Sequence, residues 1–202
     1  MNKKKSKNKG FTLVELIVVI VILAILAAIL VPQLLGYIDR SKKSRYILEA
    51  KNCMTAMQAE LTEMYAYDVS VGLNDQSIVQ GNIYGDVSLL HTPAAERILK
   101  TADANPYMLI IGLGDYEQYK ETNLHKAYTV YFVAYWPAKD KDPIFFDGTE
   151  WKSEYPWKKS GGNTFKVNGE DIKLQFYFIT APYNNMSKNW NLLKNYLGVH
   201  QG

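Results

Sequence analysis

An α+β fold, with one long N-terminal helix packed on a small antiparallel sheet, is what this sequence predicts on three observations. A 21-residue apolar run at 11–31 is followed by apolar residues at helical spacing as far as Met64. A segment dense in aromatic and β-branched residues occupies Tyr128–Trp136. An Asn168-Gly169 pair separates Phe165–Val167 from an alternating apolar stretch, the pattern of a tight hairpin.

The elements follow in order. Residues 1–10, MNKKKSKNKG, are polar and cationic. The run from Phe11 to Val31 is interrupted only by Thr12 and Glu15 and, as a helix, spans about 30 Å, enough to cross a bilayer. Pro32 removes one helical hydrogen bond and Gly36 weakens the next turn, which predicts a kink or a loosened segment. Beyond it, Ile47, Ala50, Met54, Met57, Leu61 and Met64 alternate steps of three and four, so the helix continues to about Tyr67 with a core-facing stripe. Arg45, Glu49, Lys51, Glu60 and Glu63 fall mostly off that stripe, and Cys53 lies beside it as a buried thiol.

Residues 68–92 read as an irregular connection, and Ala94–Ala104 as a short helix. Tyr107–Gly112, Tyr128–Trp136 and Ile144–Phe146 read as strands, and Phe165–Val167 with Ile172–Thr180 as a hairpin. Ile172, Leu174, Phe176 and Phe178 mark one buried face, and Met186–Leu197 is a candidate final helix before Gly198. The expectation is a sheet of three or four strands.

Composition narrows the class. The 202 residues suit one globular domain with an appendage, and 15 Tyr, 7 Phe and 4 Trp fit a β-rich portion. The single cysteine excludes an intramolecular disulfide. The net charge of +3 is unevenly placed: Lys3, Lys4, Lys5, Lys7 and Lys9 precede the apolar run with no acid among them. Without them 18 basic residues face 20 acidic ones, so the body carries no global cationic field for nucleic acid.

Three readings of the amino terminus compete: a secretory signal, a plain membrane anchor, and a leader cut between Gly10 and Phe11. The apolar run is too long for an ordinary signal. A plain anchor leaves Glu15 unexplained, because an acid inside a span costs about 2.5–3.5 kcal/mol on insertion scales. The lysine flank predicts a cytoplasmic N-terminus with everything after Val31 outside.

Lys9-Gly10-Phe11-Thr12-Leu13-Val14-Glu15-Leu16 resembles the prepilin processing motif of type IV pilins and type II secretion pseudopilins. The resemblance covers about the first 55 residues and includes Pro32. It implies cleavage after Gly10 by a membrane aspartic peptidase and methylation of the new amine of Phe11. It also implies an assembly role for Glu15 and Pro32. By its physics, Glu15 would relieve the cost of an unpaired acid by facing the amine of Phe11 on a neighbouring subunit, setting the register of association.

The domains implied are a leader at 1–10, a transmembrane and polymerisation helix at 11–31, its amphipathic continuation at 32–67, and an extracellular α+β head at 68–202. The lack of a disulfide is like that of pilins from Gram-positive bacteria. The partners implied are other copies of the chain, minor pilins, the prepilin peptidase, an assembly ATPase, a platform protein, and membrane lipid before assembly. The expected function is a subunit of an extracellular filament for adhesion, motility or aggregation. The alternatives are a pseudopilin of a secretion or DNA-uptake system, or a minor pilin with a carbohydrate- or DNA-binding head.

The head carries no phosphate-cradling, nucleophile or zinc motif, so neither an enzyme nor a cofactor is expected. His91, His125 and His200 share no ligand spacing, and Asp140, Asp142 and Asp147 lack the order of a calcium loop. No metal site is therefore expected. Trp151, Trp157, Lys158 and Lys159, with Tyr155 between the tryptophans, form a candidate surface for stacking on bases or sugars, with Lys188 and Trp190 as possible additions. The competing reading is a loop whose tryptophans tuck into the head.

Overall fold

The computed structural model describes residues 10–69, 71, 93–157 and 164–180. Several expectations lie outside the described residues: the lysine leader before Gly10, nearly all of the connection before residue 93, His91, Lys158, Lys159, the helix Met186–Leu197 with Lys188 and Trp190, and His200. The chain divides into two compact units, Met1–Ser44 and Arg45–Gly202.

Helix α1, Leu13–Ala66, has 54 residues and continues through Pro32. Leu, Ile, Val and Ala side chains make the stretch from Leu16 to Val31 uniformly apolar, and no glycine interrupts the helix before Gly36. Pro32 lacks an N–H, so the carbonyl of Ala28 loses its usual helical partner. The expected interruption is thus a missing hydrogen bond inside a continuous helix. The large apolar side chains from Phe11 to Leu35 are all exposed in the first unit. Among the described residues, this is the one helix long and apolar enough to cross a membrane.

In the second unit the helix stripe is buried as its periodicity predicts, with a slight rotation. Ala50, Met57, Leu61 and Met64 are buried, Ile47 and Met54 are half-buried, and Cys53 and Ala56 join the core. Helix α2, Pro93–Ala102, adds Ala94, Ala95, Ile98 and Ala102 to the same cluster.

The strands are β1 (Met108–Gly114), β2 (Val130–Trp136), β3 (Ile144–Phe146), β4 (Trp151–Lys152), β5 (Thr164–Val167) and β6 (Glu170–Thr180). Helix α3 (Tyr116–Tyr119), capped by Asp115 at 3.0 Å, and a 3-10 turn at Leu124–Tyr128 connect β1 to β2. All pairings are antiparallel, in the order β4-β3-β2-β1-β6-β5. Six strands replace the expected three or four: all five segments read as strands join the sheet, and the two-residue β4 extends one edge. A segment this short carries almost no periodic signal.

Both faces of the sheet are buried. Leu109, Ile111, Leu113, Val133, Tyr135, Tyr177 and Ile179 pack in one cluster with α1 and α2. Ile110, Phe132, Trp136, Ile172, Leu174, Phe176 and Phe178 form a second cluster, completed by Phe145, Phe165 and Val167. The alternating face at Ile172–Phe178 is therefore buried as predicted, but away from the helix.

The sheet curls to close that second cluster. Asn168 and Gly169 turn the β5–β6 hairpin with φ of 53° and 83°. Gly148, at φ +91°, follows β3 at the far end of the sheet. A Cβ placed on it would lie 2.3 Å from Val167 Cγ1, so the two ends of the sheet meet there.

Candidate assembly site

Gly10 and Phe11 precede the first helical turn, and Phe11 is 86% exposed. A Cβ on Gly10 would meet nothing within 4 Å. Nothing in the described fold around Gly10 requires a glycine.

Thr12 and Glu15 start the helix together. The N–H and the hydroxyl of Thr12 each donate to Glu15 Oε2 at 2.8 Å, and the Glu15 N–H donates to Thr12 Oγ1 at 3.3 Å. The first helical bond, Leu16 N–H to the Thr12 carbonyl, is 3.2 Å. This is a reciprocal capping box, in which an N-cap threonine and an acid three residues later satisfy otherwise orphaned donors. Sequence reasoning placed Glu15 only opposite an amine. The Thr-x-x-Glu spacing that announces the box was legible and belongs to Glu15 as well.

The comparisons with known proteins bear on the same segment. Residues 5–31 match the family described as the prokaryotic N-terminal methylation motif. A type IV major fimbrial protein FimA of Dichelobacter nodosus is 39% identical over 79 residues, covering 39% of this chain and 51% of that protein. Another FimA of the same organism is 48% identical over 59 residues, 29% of this chain and 38% of its own length. The type IV wide pilus major component PilA4 of Thermus thermophilus is 32% identical over 130 residues, 62% of this chain and 80% of PilA4. The chain belongs to the type IV pilin family. It spans about half or less of the length of the FimA relatives, and no solved structure matches it.

In this pilin the second half of α1 is fixed to the head by polar side chains that sequence reasoning placed in solvent or passed over. Gln58 Nε2–H donates to the Tyr128 carbonyl at 2.8 Å, and its Oε1 accepts from the Val130 N–H at 3.0 Å. Tyr135 Oη–H donates to Glu49 Oε2 at 2.8 Å, while Arg45 holds Oε1 at 2.7 Å. Arg97 on α2 grips Glu60 with two bonds of 2.9 Å. Burial pushes the Cys53 thiol up to about 12, with the Glu49 carboxylate adding to it, so it stays protonated at neutral pH.

Trp151 and Trp157 of the pilin head are half-buried. Trp151 lies 5.3 Å from the Phe146 ring, and Trp157 packs against Phe165 at 4.4 Å and Phe132 at 5.1 Å. Tyr155 meets Trp157 edge-on at 6.0 Å. Lys152, beside Trp151, is held by Asp147 at 2.6 Å and Glu150 at 3.0 Å. Trp151 thus serves the first core and Trp157 the second, while Lys158 and Lys159 lie outside the described residues.

Asp147 anchors the β3–β4 turn, accepting from the N–H groups of Thr149 and Glu150 at 2.9 Å. Burial raises its carboxyl, but Lys152, the Thr149 hydroxyl and those N–H groups outweigh burial and hold it well below the usual range. Among the described residues, no three His, Cys, Asp or Glu side chains come together as a metal site. His125 sits in the 3-10 turn, where its carbonyl accepts from the Thr129 hydroxyl.

Proposed function

We propose that this chain is the structural subunit of a type IV pilus. It is held in the cytoplasmic membrane as a precursor with its head outside, then polymerises through the first half of α1 into an extracellular filament for adhesion, motility or aggregation. The observation that carries the proposal is an apolar helix, exposed on all sides, that begins at a Gly10-Phe11-Thr12-x-x-Glu15 start. So much exposed apolar surface calls for lipid or other helices around it. The resemblance to major fimbrial and pilus proteins supports the second occupant in the mature state.

A prepilin peptidase cuts between Gly10 and Phe11 and methylates Phe11. Openness around Gly10 supports a glycine kept for recognition rather than for folding. Cleavage converts the Phe11 nitrogen from an amide to an amine directly before the Thr12–Glu15 box. In the precursor Thr12 occupies Oε2 of Glu15; after cleavage a neighbouring amine competes for that carboxylate and sets the axial register. Pro32, with its missing bond, lets the helix loosen as subunits are drawn together. An assembly ATPase and a platform protein supply work and position, and minor pilins initiate the fibre.

Sheared surface material tests this. Labelled filaments whose subunit begins at N-methylated Phe11 are expected, with a loss of at least about tenfold in filament mass for Glu15→Ala at unchanged processing. Unprocessed chain, or full filament yield from Glu15→Ala, sinks the respective step. A processed subunit confined to the envelope redirects the reading to a pseudopilin.

A further inference from the structure

We propose that Tyr37, Arg40, Lys42 and Lys43 form a collar that docks on anionic phospholipid headgroups of the leaflet facing the head, fixing the depth of the helix before assembly. The proposal rests on the membrane-anchored precursor proposed above.

Length places the collar. From Leu13 to Tyr37 the helix rises about 36 Å, more than the roughly 30 Å hydrocarbon core and within the full bilayer thickness of about 40–45 Å. With the helix start at one interface, Tyr37 reaches the other. It is 71% exposed, and an exposed tyrosine closing an apolar run is suited to the headgroup layer, where its ring and hydroxyl each find their medium. Arg40, Lys42 and Lys43 follow within two turns, all exposed.

Depth and charge identify the occupant. At about 100° per residue, Arg40, Lys42 and Lys43 fall within one arc of roughly 160°. At the depth of Tyr37 the medium beside an anchored helix is the headgroup layer, whose phosphates complement that cationic arc. Among the described residues, no ion pair engages any of the three. Asp39 is the lone acid from Tyr37 to Lys43 and leaves a net of +2. Orientation is preserved, because the five leader lysines on the other flank outnumber these three cations.

The same depth has a consequence for Glu15. It lies about 33 Å of helix rise from Tyr37, so the collar puts it at the opposite interface and not at the bilayer centre. The cost of the acid falls accordingly.

The test is electron spin resonance on the full chain in phosphatidylcholine vesicles with its head outward. Spin-labelled phosphatidylglycerol or phosphatidylcholine is added from outside, which keeps the probe in the leaflet away from the leader. A preference for phosphatidylglycerol of at least about threefold is expected at low salt, decreasing as salt screens the three cations. R40Q/K42Q/K43Q should bring it to about unity with the helical circular dichroism unchanged. Equal selectivity in the parent and the triple variant, or none in the parent, overturns the collar. Absence of any motionally restricted lipid overturns the membrane-anchored reading and the collar with it.

Discussion

Replacing Gln58 by leucine isolates the clasp between α1 and β2. The side chain bridges the Tyr128 carbonyl and the Val130 N–H, at 2.8 and 3.0 Å, where the strand begins. Tyr128 and Val130 are 5% and 8% exposed, so water cannot readily replace the lost partners. Leucine keeps the volume and leaves two backbone groups unsatisfied. At about 1–3 kcal/mol each, with partial relaxation, the expected loss is about 2–4 kcal/mol. For a chain of this size that lowers Tm by about 5–15 °C. Calorimetry of the full chain in detergent, with coincident near-ultraviolet circular dichroism, measures it. A decrease under about 2 °C refutes the argument that these two bonds carry the start of β2.

Gln58→Glu sharpens the test through pH. A carboxylate still accepts from Val130 but has no proton for the Tyr128 carbonyl, so the variant is destabilised at neutral pH. Protonation restores the donor, which makes the folded-state pKa of residue 58 higher than its unfolded value of about 4.3. That contribution is present in full below pH ~4.3 and is lost as pH rises through the folded value. The gap in Tm between variant and parent should close on acidification. A gap that stays constant from pH 7 to pH 4 refutes the donor role.

Other outcomes follow from the same structure. Asp147→Asn should cost on the order of 2 kcal/mol at pH 7. Because the Asp147 carboxyl is depressed, the parent keeps this stability above pH ~4 and loses it as pH falls further, so denaturant titrations of the two proteins should converge in acid. Gly148→Ala puts a methyl group 2.3 Å from Val167 Cγ1 at a φ of +91°, and should lose about 3 kcal/mol in a urea midpoint series. Arg97→Ala should cost only about 0.5–1 kcal/mol in the same assay, since the arginine is more than half exposed. Cys53 should react with iodoacetamide at pH 8 at least about a hundredfold slower than in urea, because it is 1% exposed and held protonated.

Legibility in the sequence tracked the length over which a pattern repeats. Helix α1 and its stripe were readable because Ala50, Met57, Leu61 and Met64 repeat over four turns, and β2 because its β-branched and aromatic residues are broken only by Ala134. The Asn168-Gly169 turn announced β5 and β6 through one backbone requirement. Strand β4 has two residues, so no period exists to detect. The second core escaped notice for a different reason. Ile172–Phe178 alternates cleanly, but Tyr177 and Ile179 fill the other face, and only tertiary closure by Phe165, Val167 and Trp157 shows which face meets what. At the helix start, the chemistry expected of Glu15 was read from a family likeness, while its bonds to Thr12 were written in a four-residue spacing.

The polar clasps explain how a head without an internal disulfide keeps its helix in register. Apolar burial is non-directional, and a stripe of Ala, Met and Leu at steps of three and four accepts a slip of one turn, about 5.4 Å, with little change of partners. Glu49, Gln58 and Glu60 do not accept it. Their partners are a tyrosine hydroxyl on β2, the backbone entering β2, and an arginine fork on α2, each within 3.0 Å. A slip would break all three at once, leaving Glu49 only its Arg45 pair on the same helix and two backbone groups without partners. The stripe therefore supplies most of the affinity of helix for sheet, and three side chains off its centre select one position along it. In the polymerisation proposed above the head would have to follow this helix, and a fixed register between the two is what that requires of a chain with a single cysteine.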